Sequence, residues 1–209
     1  MNRIFALIVS FISFAELTFG FNIIDIISTD NPEADKVFFD ISHDVRIAML
    51  ENTASDHPFV PDSEHGTYMA IDSLTENYAR IVYPQTENGM IEVFLAGEDK
   101  NPIIFSIASF ASMNNESIVK AFRSDSFSTV NIDEPTYMDW LKKDALKDIS
   151  ETALLAAIPF VTSHATVDTE TGNITFSNTS ILTPGVDSSI TNAFLPSITY
   201  RWNGKRFVK

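Results

Sequence analysis

Apolar side chains recur along this chain at two spacings, and the spacing switches more than once. The stretch "STDNPEADKVFFDI" begins with helix-start signals. Asp30 or Asn31 can cap it, Pro32 suits the first turn, and Glu33 and Asp35 complement the helix dipole. Val37, Phe38 and Ile41 give it an apolar stripe. "SHDVRIAMLENTA" predicts a second helix, capped by Ser42, with Val45, Ala48 and Met49 on one face. The period then falls to two. "GTYMAIDSL", "NYARIVYP", "GMIEVFLAG", "PIIFSIASFA" and "SIVKAFRSD" are rich in β-branched and aromatic residues, with Gly89, Gly97 and "EDKNP" as punctuation. Five short strands with short turns predict an antiparallel meander.

Around "STVNIDEP" the pattern restarts. "EPTYMDWLKKDALKDISETALLAAI" reads as two helices or one bent helix. Pro135 lies at its start, Tyr137, Leu141, Leu146, Leu154, Leu155 and Ile158 form its stripe, and Pro159 ends it. Strand patterns follow in "HATVDT", "ITFSNTSIL", "LPSITYRW" and "KRFVK", separated by the turn "ETGN" and the loop "TPGVDSSITN". In "SITYRWNGKRFVK", Ile198, Tyr200 and Trp202 fall on one face of a strand and Thr199 and Arg201 on the other. Asn203-Gly204 predicts a two-residue hairpin turn that brings Phe207 back to the apolar side. The fold expected is therefore α+β: two similar units, 21–127 and 128–209, each a helix pair packed on an antiparallel β-meander. The alternative is one α+β domain with a helical insertion. Units this small need an extensive interface to be stable.

Residues 1–20, "MNRIFALIVSFISFAELTFG", fit neither period. Arg3 supplies a positive start, Ile4 to Phe14 is apolar, and Ser13-Phe14-Ala15 or Thr18-Phe19-Gly20 offers small residues at a cleavage site. This predicts a signal peptide, and the run is short of the ~20 apolar residues of a membrane span. The mature chain is expected to have no transmembrane segment and to be exported, to a bacterial periplasm, cell surface or medium. In a eukaryote the sequons at Asn115, Asn173 and Asn178 could carry glycans.

Composition narrows the chemistry. The 209 residues hold no cysteine, which removes disulfides, thiolate metal sites and thiol nucleophiles. Formal net charge is -14, so nucleic acid is not an expected partner. The charge is uneven: residues 21–127 hold 18 acidic and 6 basic residues, residues 128–209 hold 9 and 7. Arg201, Lys205, Arg206 and Lys209 are expected to moderate the repulsion within the chain.

Motifs for known chemistries are absent: there is no nucleophile elbow, His-Glu-x-x-His, P-loop or dinucleotide fingerprint. The one acid/His cluster is "SDHPFVPDSEHG", with His57 and His65 beside Asp56, Asp62 and Glu64. Its spacing matches no established metal site. "DTETGN", Asp168 to Asn173, resembles one end of a calcium loop but lacks the full ligand series, and reads as a turn with Gly172 at positive φ. Ser42-His43-Asp44 is contiguous, and contiguous side chains do not converge as a triad. Glu98-Asp99 and Asp133-Glu134 read as solvated turn charges. No catalytic, cofactor-binding or metal-binding residue is assigned, and no cofactor is expected.

The layout resembles an uncharacterised family of small exported Bacteroidetes proteins, a domain of unknown function. The resemblance is carried by "DVRIAML", by the meander from "GTYMAIDSL" to "PIIFSIASFA", and by the closing "YRWNGKRF". It implies no catalytic residues. The helices-then-sheet pattern also looks like small protein-inhibitor-type α+β domains, an analogy of fold that implies no activity. The function expected is a non-enzymatic binding protein with a protein partner at the cell envelope. The alternatives are a hydrolase with a site built from distant residues, His57, His65 and Asp62 being the candidates, and a calcium- or glycan-associated surface module.

Overall fold

The computed structural model describes residues 21–64, 66–83, 89–97, 102–110, 116–180, 186 and 188–209. The expected signal segment 1–20, His65, Glu98-Asp99, the sequon at Asn115 and part of the loop after Leu182 lie outside the described residues.

The first layer is helical. α1 (Ile23–Ser28) opens with a reciprocal cap: Asn22 Oδ1 accepts from Asp25 N at 2.9 Å, and Asn22 N donates to Asp25 Oδ2 at 3.1 Å. Sequence reading missed this helix because it is only two turns long. α2 (Pro32–Asp35), capped by Asn31, runs into a 3₁₀ turn, Lys36–Phe38. Phe39 and Asp40 then take left-handed backbone conformations (φ 53° and 69°), which turn the chain into α3 (His43–Asn52). Arg46 of α3 is completely buried and binds this layer together. Its guanidinium donates to the carbonyls of Ile26, Ile27, Ile41 and Thr29 and to Asp35 Oδ1, at 2.5–3.3 Å.

The second layer is a seven-stranded antiparallel sheet in sequence order. It consists of β1 (Val60–Asp62), β2 (Thr67–Leu74), β3 (Tyr78–Tyr83), β4 (Gly89–Ala96), β5 (Ile103–Phe110), β6 (Glu116–Arg123) and β7 (Thr129–Val130). The five strands expected from alternation are β2 to β6. The short β1 and β7 border them, and β7 extends the first sheet past residue 127. One face carries Met69, Ile71, Ile81, Val93, Ile104 and Phe122 into the core shared with the helices. Ser106 Oγ donates to the Val37 carbonyl and pins the 3₁₀ turn to β5.

The third layer is a four-stranded antiparallel sheet, ordered β11-β10-β9-β8. Its strands are β8 (Ser163–Val167), β9 (Ile174–Asn178), β10 (Ser197–Trp202) and β11 (Phe207–Val208). Short helices accompany it: a 3₁₀ turn at Tyr137–Trp140, α4 (Ala145–Asp148), α5 (Glu151–Ala157) and α6 (Ser188–Thr191). Its core holds Trp140, Leu154, Phe176, Ile198, Tyr200 and Phe207 together with Phe105, Ile107, Val119, Ala121 and Val130 of the first sheet. β5 is thus covered on both faces, which explains its nearly unbroken apolar run. The protein is a mixed α+β structure with a large antiparallel sheet and few helices.

Two expectations change in detail. The helical stretch after Pro135 is three short pieces because the chain between Trp140 and Ala145 is taken by another segment. Leu141 bridges Phe194, Lys142 N donates to Ala193 O, and Leu195 N donates to Trp140 O. The closing hairpin turns one residue later than Asn203-Gly204. Asn203 N donates to Arg206 O at 3.2 Å, Gly204 has φ 87°, and the tip is therefore Gly204-Lys205. Asn203 Oδ1 accepts from the backbone of Lys205 and Arg206, so the side chain closes the turn from within.

Candidate functional site

Three places on this frame combine exposure with chemistry. The first is a cleft of about 660 Å³ at one end of the junction between the sheets. It is built from connections of both: the end of β4 with Gly97, the start of β5 with Pro102 and Ile103, the turn after β6 with Arg123, Ser124 and Asp125, the β8–β9 turn with Glu170 and Thr171, and the final hairpin with Trp202, Asn203 and Gly204. Gly97 N donates to Thr169 O at 3.2 Å and ties the two sides together.

The β8–β9 turn is self-contained. Asp168 Oδ1 accepts from the amides of Glu170 and Thr171, and Oδ2 accepts from Thr171 Oγ1 at 2.7 Å. The Thr171 hydroxyl and then these amides hold the Asp168 carboxyl below the usual carboxylate range. Gly172 has φ 69°, as the turn reading of "DTETGN" requires. Asn173 Oδ1 accepts from Trp202 N at 3.2 Å, linking this turn to β10. The amide side chains of two sequons are thus engaged, since Asn178 also accepts from Ser180 N and donates to Leu195 O.

The second place lies at the other end of the same junction, where β8 runs beside β6. Ser109 Oγ meets Ser117 Oγ at 3.1 Å, and Ser117 Oγ meets His164 Nδ1 at 3.0 Å. The pair Ser117–His164 spans the two sheets and is half-buried. Among the described residues no carboxylate bonds to this imidazole, so no third group orients it as a general base would require. Sequence reading missed the pair because 47 residues separate the partners.

The third is the face of β1–β3 turned away from the helical core. Phe59 and Tyr68 are 46% and 49% exposed there. Further along these strands Arg80 grips Asp72 with two bonds of 2.8 Å, and Tyr78 donates to Glu92 Oε1 at 2.7 Å. The ring of Tyr78 packs on Phe94 with centroids 5.0 Å apart. Burial, and then the Glu92 carboxylate, push the Tyr78 phenol up, so this hydroxyl stays protonated.

Of the residues singled out from sequence, His65 lies outside the described residues and the others occupy separate settings. His57 is exposed in the loop before β1. Asp62 is buried on β1, where its Oδ1 accepts from Glu64 N at 3.0 Å. Burial, and then the Asp62 charge, push the neighbouring Tyr83 phenol up to about 12. No group of three or more His, Asp or Glu side chains that could hold a metal ion occurs among the described residues. His43 sits at the start of α3 with Nε2 3.2 Å from Ser28 O, a packing contact between helices. Asp133 accepts from Asn131 Nδ2 at 2.8 Å, and Asp133 and Glu134 are exposed. Of the basic residues near the end, Lys209 pairs with Asp139 and lies 5.6 Å from the Tyr200 ring. Arg201, Lys205 and Arg206 are exposed.

No family model and no curated protein matches the chain. Among solved structures, a domain of an uncharacterized protein from Porphyromonas gingivalis W83 is similar, with a TM-score of 0.60 at 14% identity. The likeness covers 88% of this chain and 98% of that domain. It shows a shared fold. That neighbour comes from a member of the Bacteroidetes, the group to which the sequence resemblance points. No helix among the described residues is long and apolar enough to cross a membrane.

Proposed function

We propose that this chain is an exported, non-enzymatic binding protein of a bacterial cell envelope, one of the small Bacteroidetes proteins it resembles, built as two helices-plus-sheet units. The observation that carries the reading is the open face of β1–β3. Two large aromatic side chains, Phe59 and Tyr68, stand exposed on a sheet that carries the Arg80–Asp72 and Tyr78–Glu92 pairs further along its strands. Aromatics on a firm support with a polar surround are the makings of a protein contact. The net charge of -14 favours a partner whose contact surface is basic. The apolar segment at residues 1–20 supports export.

The test is affinity capture from an envelope extract of the source cell, with residues 21–209 as bait and mass spectrometry as readout. A stoichiometric partner that is lost from Phe59→Ala/Tyr68→Ala bait and weakened by salt is the expected result. No partner at low salt, or one retained equally by the double variant, would sink the reading.

A hydrolase is the second reading, and the Ser117–His164 contact at 3.0 Å is the observation in its favour. A fluorophosphonate probe should then label Ser117 in the wild type and not in His164→Ala. An unlabelled wild type removes this alternative.

A further inference from the structure

The cleft between the two sheets has a size and a lining that differ from those of the open sheet face, and its chemistry points to another kind of ligand. At about 660 Å³ it falls within the range of small-molecule sites. Trp202 lines it, half-buried, and is braced from within by Phe207, whose ring centroid is 5.0 Å away. An indole held this way offers a flat apolar surface with a polar edge.

The polar groups around the indole are of mixed character. Arg123 brings only donors, and Glu170 and Asp125 bring only acceptors. Among the described residues the Arg123 guanidinium and the Glu170 carboxylate make no hydrogen bond or ion pair, so both are available to a ligand. Asp125 accepts a single bond, from Ser126 Oγ. At two further points the wall is bare backbone: a Cβ built on Gly97 or Gly204 would meet nothing within 4 Å. A ligand can therefore come close to the main chain there.

These features select among ligand classes. A strongly anionic ligand would meet Glu170 and Asp125 in a chain that is already acidic. A strongly cationic one would meet Arg123. A purely apolar one would strand all three charged groups, at a desolvation cost with no compensating bond. A neutral polyol satisfies them, because each hydroxyl both donates and accepts, and a pyranose ring has an apolar C–H face that fits an indole. We propose that the cleft between the two sheets is a binding site for a neutral saccharide, with the sugar ring seated on Trp202 and its hydroxyls held by Arg123, Glu170 and Asp125. The site is separate from the open face of β1–β3, so either can be right without the other.

The experiment is a glycan array probed with labelled protein 21–209, carrying neutral hexose and N-acetylhexosamine oligosaccharides together with sulfated and sialylated ones. The best neutral glycan is then titrated by calorimetry. Saturable binding confined to neutral glycans is expected, weakened by about tenfold or more in Arg123→Ala and in Glu170→Gln, the scale of one or two lost polar contacts. Both residues are exposed, so the variants should keep the wild-type circular dichroism spectrum. Trp202→Phe should weaken binding while leaving Trp140 as a fluorescence check on the fold. Absence of binding to every neutral glycan at millimolar concentration overturns the proposal. So does binding restricted to acidic glycans, or neutral-glycan binding that survives both polar substitutions.

Discussion

Arg46 shows how much a single residue can hold in this protein. It has no exposed surface, its guanidinium hydrogen-bonds to four carbonyls and to Asp35, and it lies over the Phe38 ring at 5.1 Å. Desolvation draws its pKa down, and the bond to Asp35 and that carboxylate's charge oppose the fall. Truncation would leave four carbonyls and a carboxylate without their donor. Arg46→Ala should therefore destabilise the protein by about 3–5 kcal/mol in urea denaturation, the usual penalty for breaking a buried pair from one side. Nothing in "DVRIAML" reveals this, since the partners come from three other segments and an arginine on a helix reads as solvent-facing. Asp139 gives a pH signature. Bonds from Lys209, then from Thr136, hold its carboxyl down to about 2. A depressed carboxylate contributes stability above its unfolded pKa and loses it as pH falls through the folded value. Asp139→Asn should thus lower the thermal midpoint at neutral pH, and the gap from wild type should close as pH falls from about 4 towards 2.

At the scale of elements, the strands were legible and the short helices were not. Alternation in β2, β3 and β4 is clear because each has one face in the helical core, and the apolar run of β5 reads as a strand through its β-branched residues and flanking turns. The pieces after Pro135 mislead because their stripe is helical throughout while the backbone of residues 140–142 bonds to residues 193–195. The last hairpin is legible in the sequence, but its tip falls one residue later than Asn203-Gly204. The side chain of Asn203 accepts the bonds that a two-residue Asn-Gly turn would have left to the backbone. That geometry makes Gly204 the demanding position. With φ 87° and open space around it, Gly204→Ala meets no clash, so its cost is conformational alone. We expect about 1–2 kcal/mol, measurable by denaturant titration. An Ala at Lys205, where φ is not positive, should be close to neutral.

For the whole molecule, sequence reading found the α+β class. It could not show that the second sheet borrows the back of the first for its core, because that depends on which strands face each other across long stretches of chain, as Ser117 and His164 do over 47 residues. The gathering of four separate connections around one cleft was hidden for the same reason. Charge is the other molecular-scale quantity. With a net of -14, exposed cations such as Arg201 and Arg206 reduce self-repulsion. Arg201→Glu/Arg206→Glu should lower the melting temperature at low ionic strength. The loss should shrink as salt is raised beyond about 0.15 M, where the Debye length is ~8 Å. An equal loss at all salt concentrations would assign the two arginines a local role instead.

β5 is an interior strand of a sheet that has a helical layer on one side and a second sheet on the other. Its amides are hydrogen-bonded to β4 and β6 along the whole strand. No partial opening that leaves either layer in place can wet this strand. Its backbone hydrogens should therefore exchange with deuterium only when the entire molecule unfolds, while β1 and β7 exchange by fraying at the sheet's margins. Protection measured peptide by peptide should fall outward from β5 in both directions. The slowest peptide would then report the global unfolding free energy directly, without any denaturant.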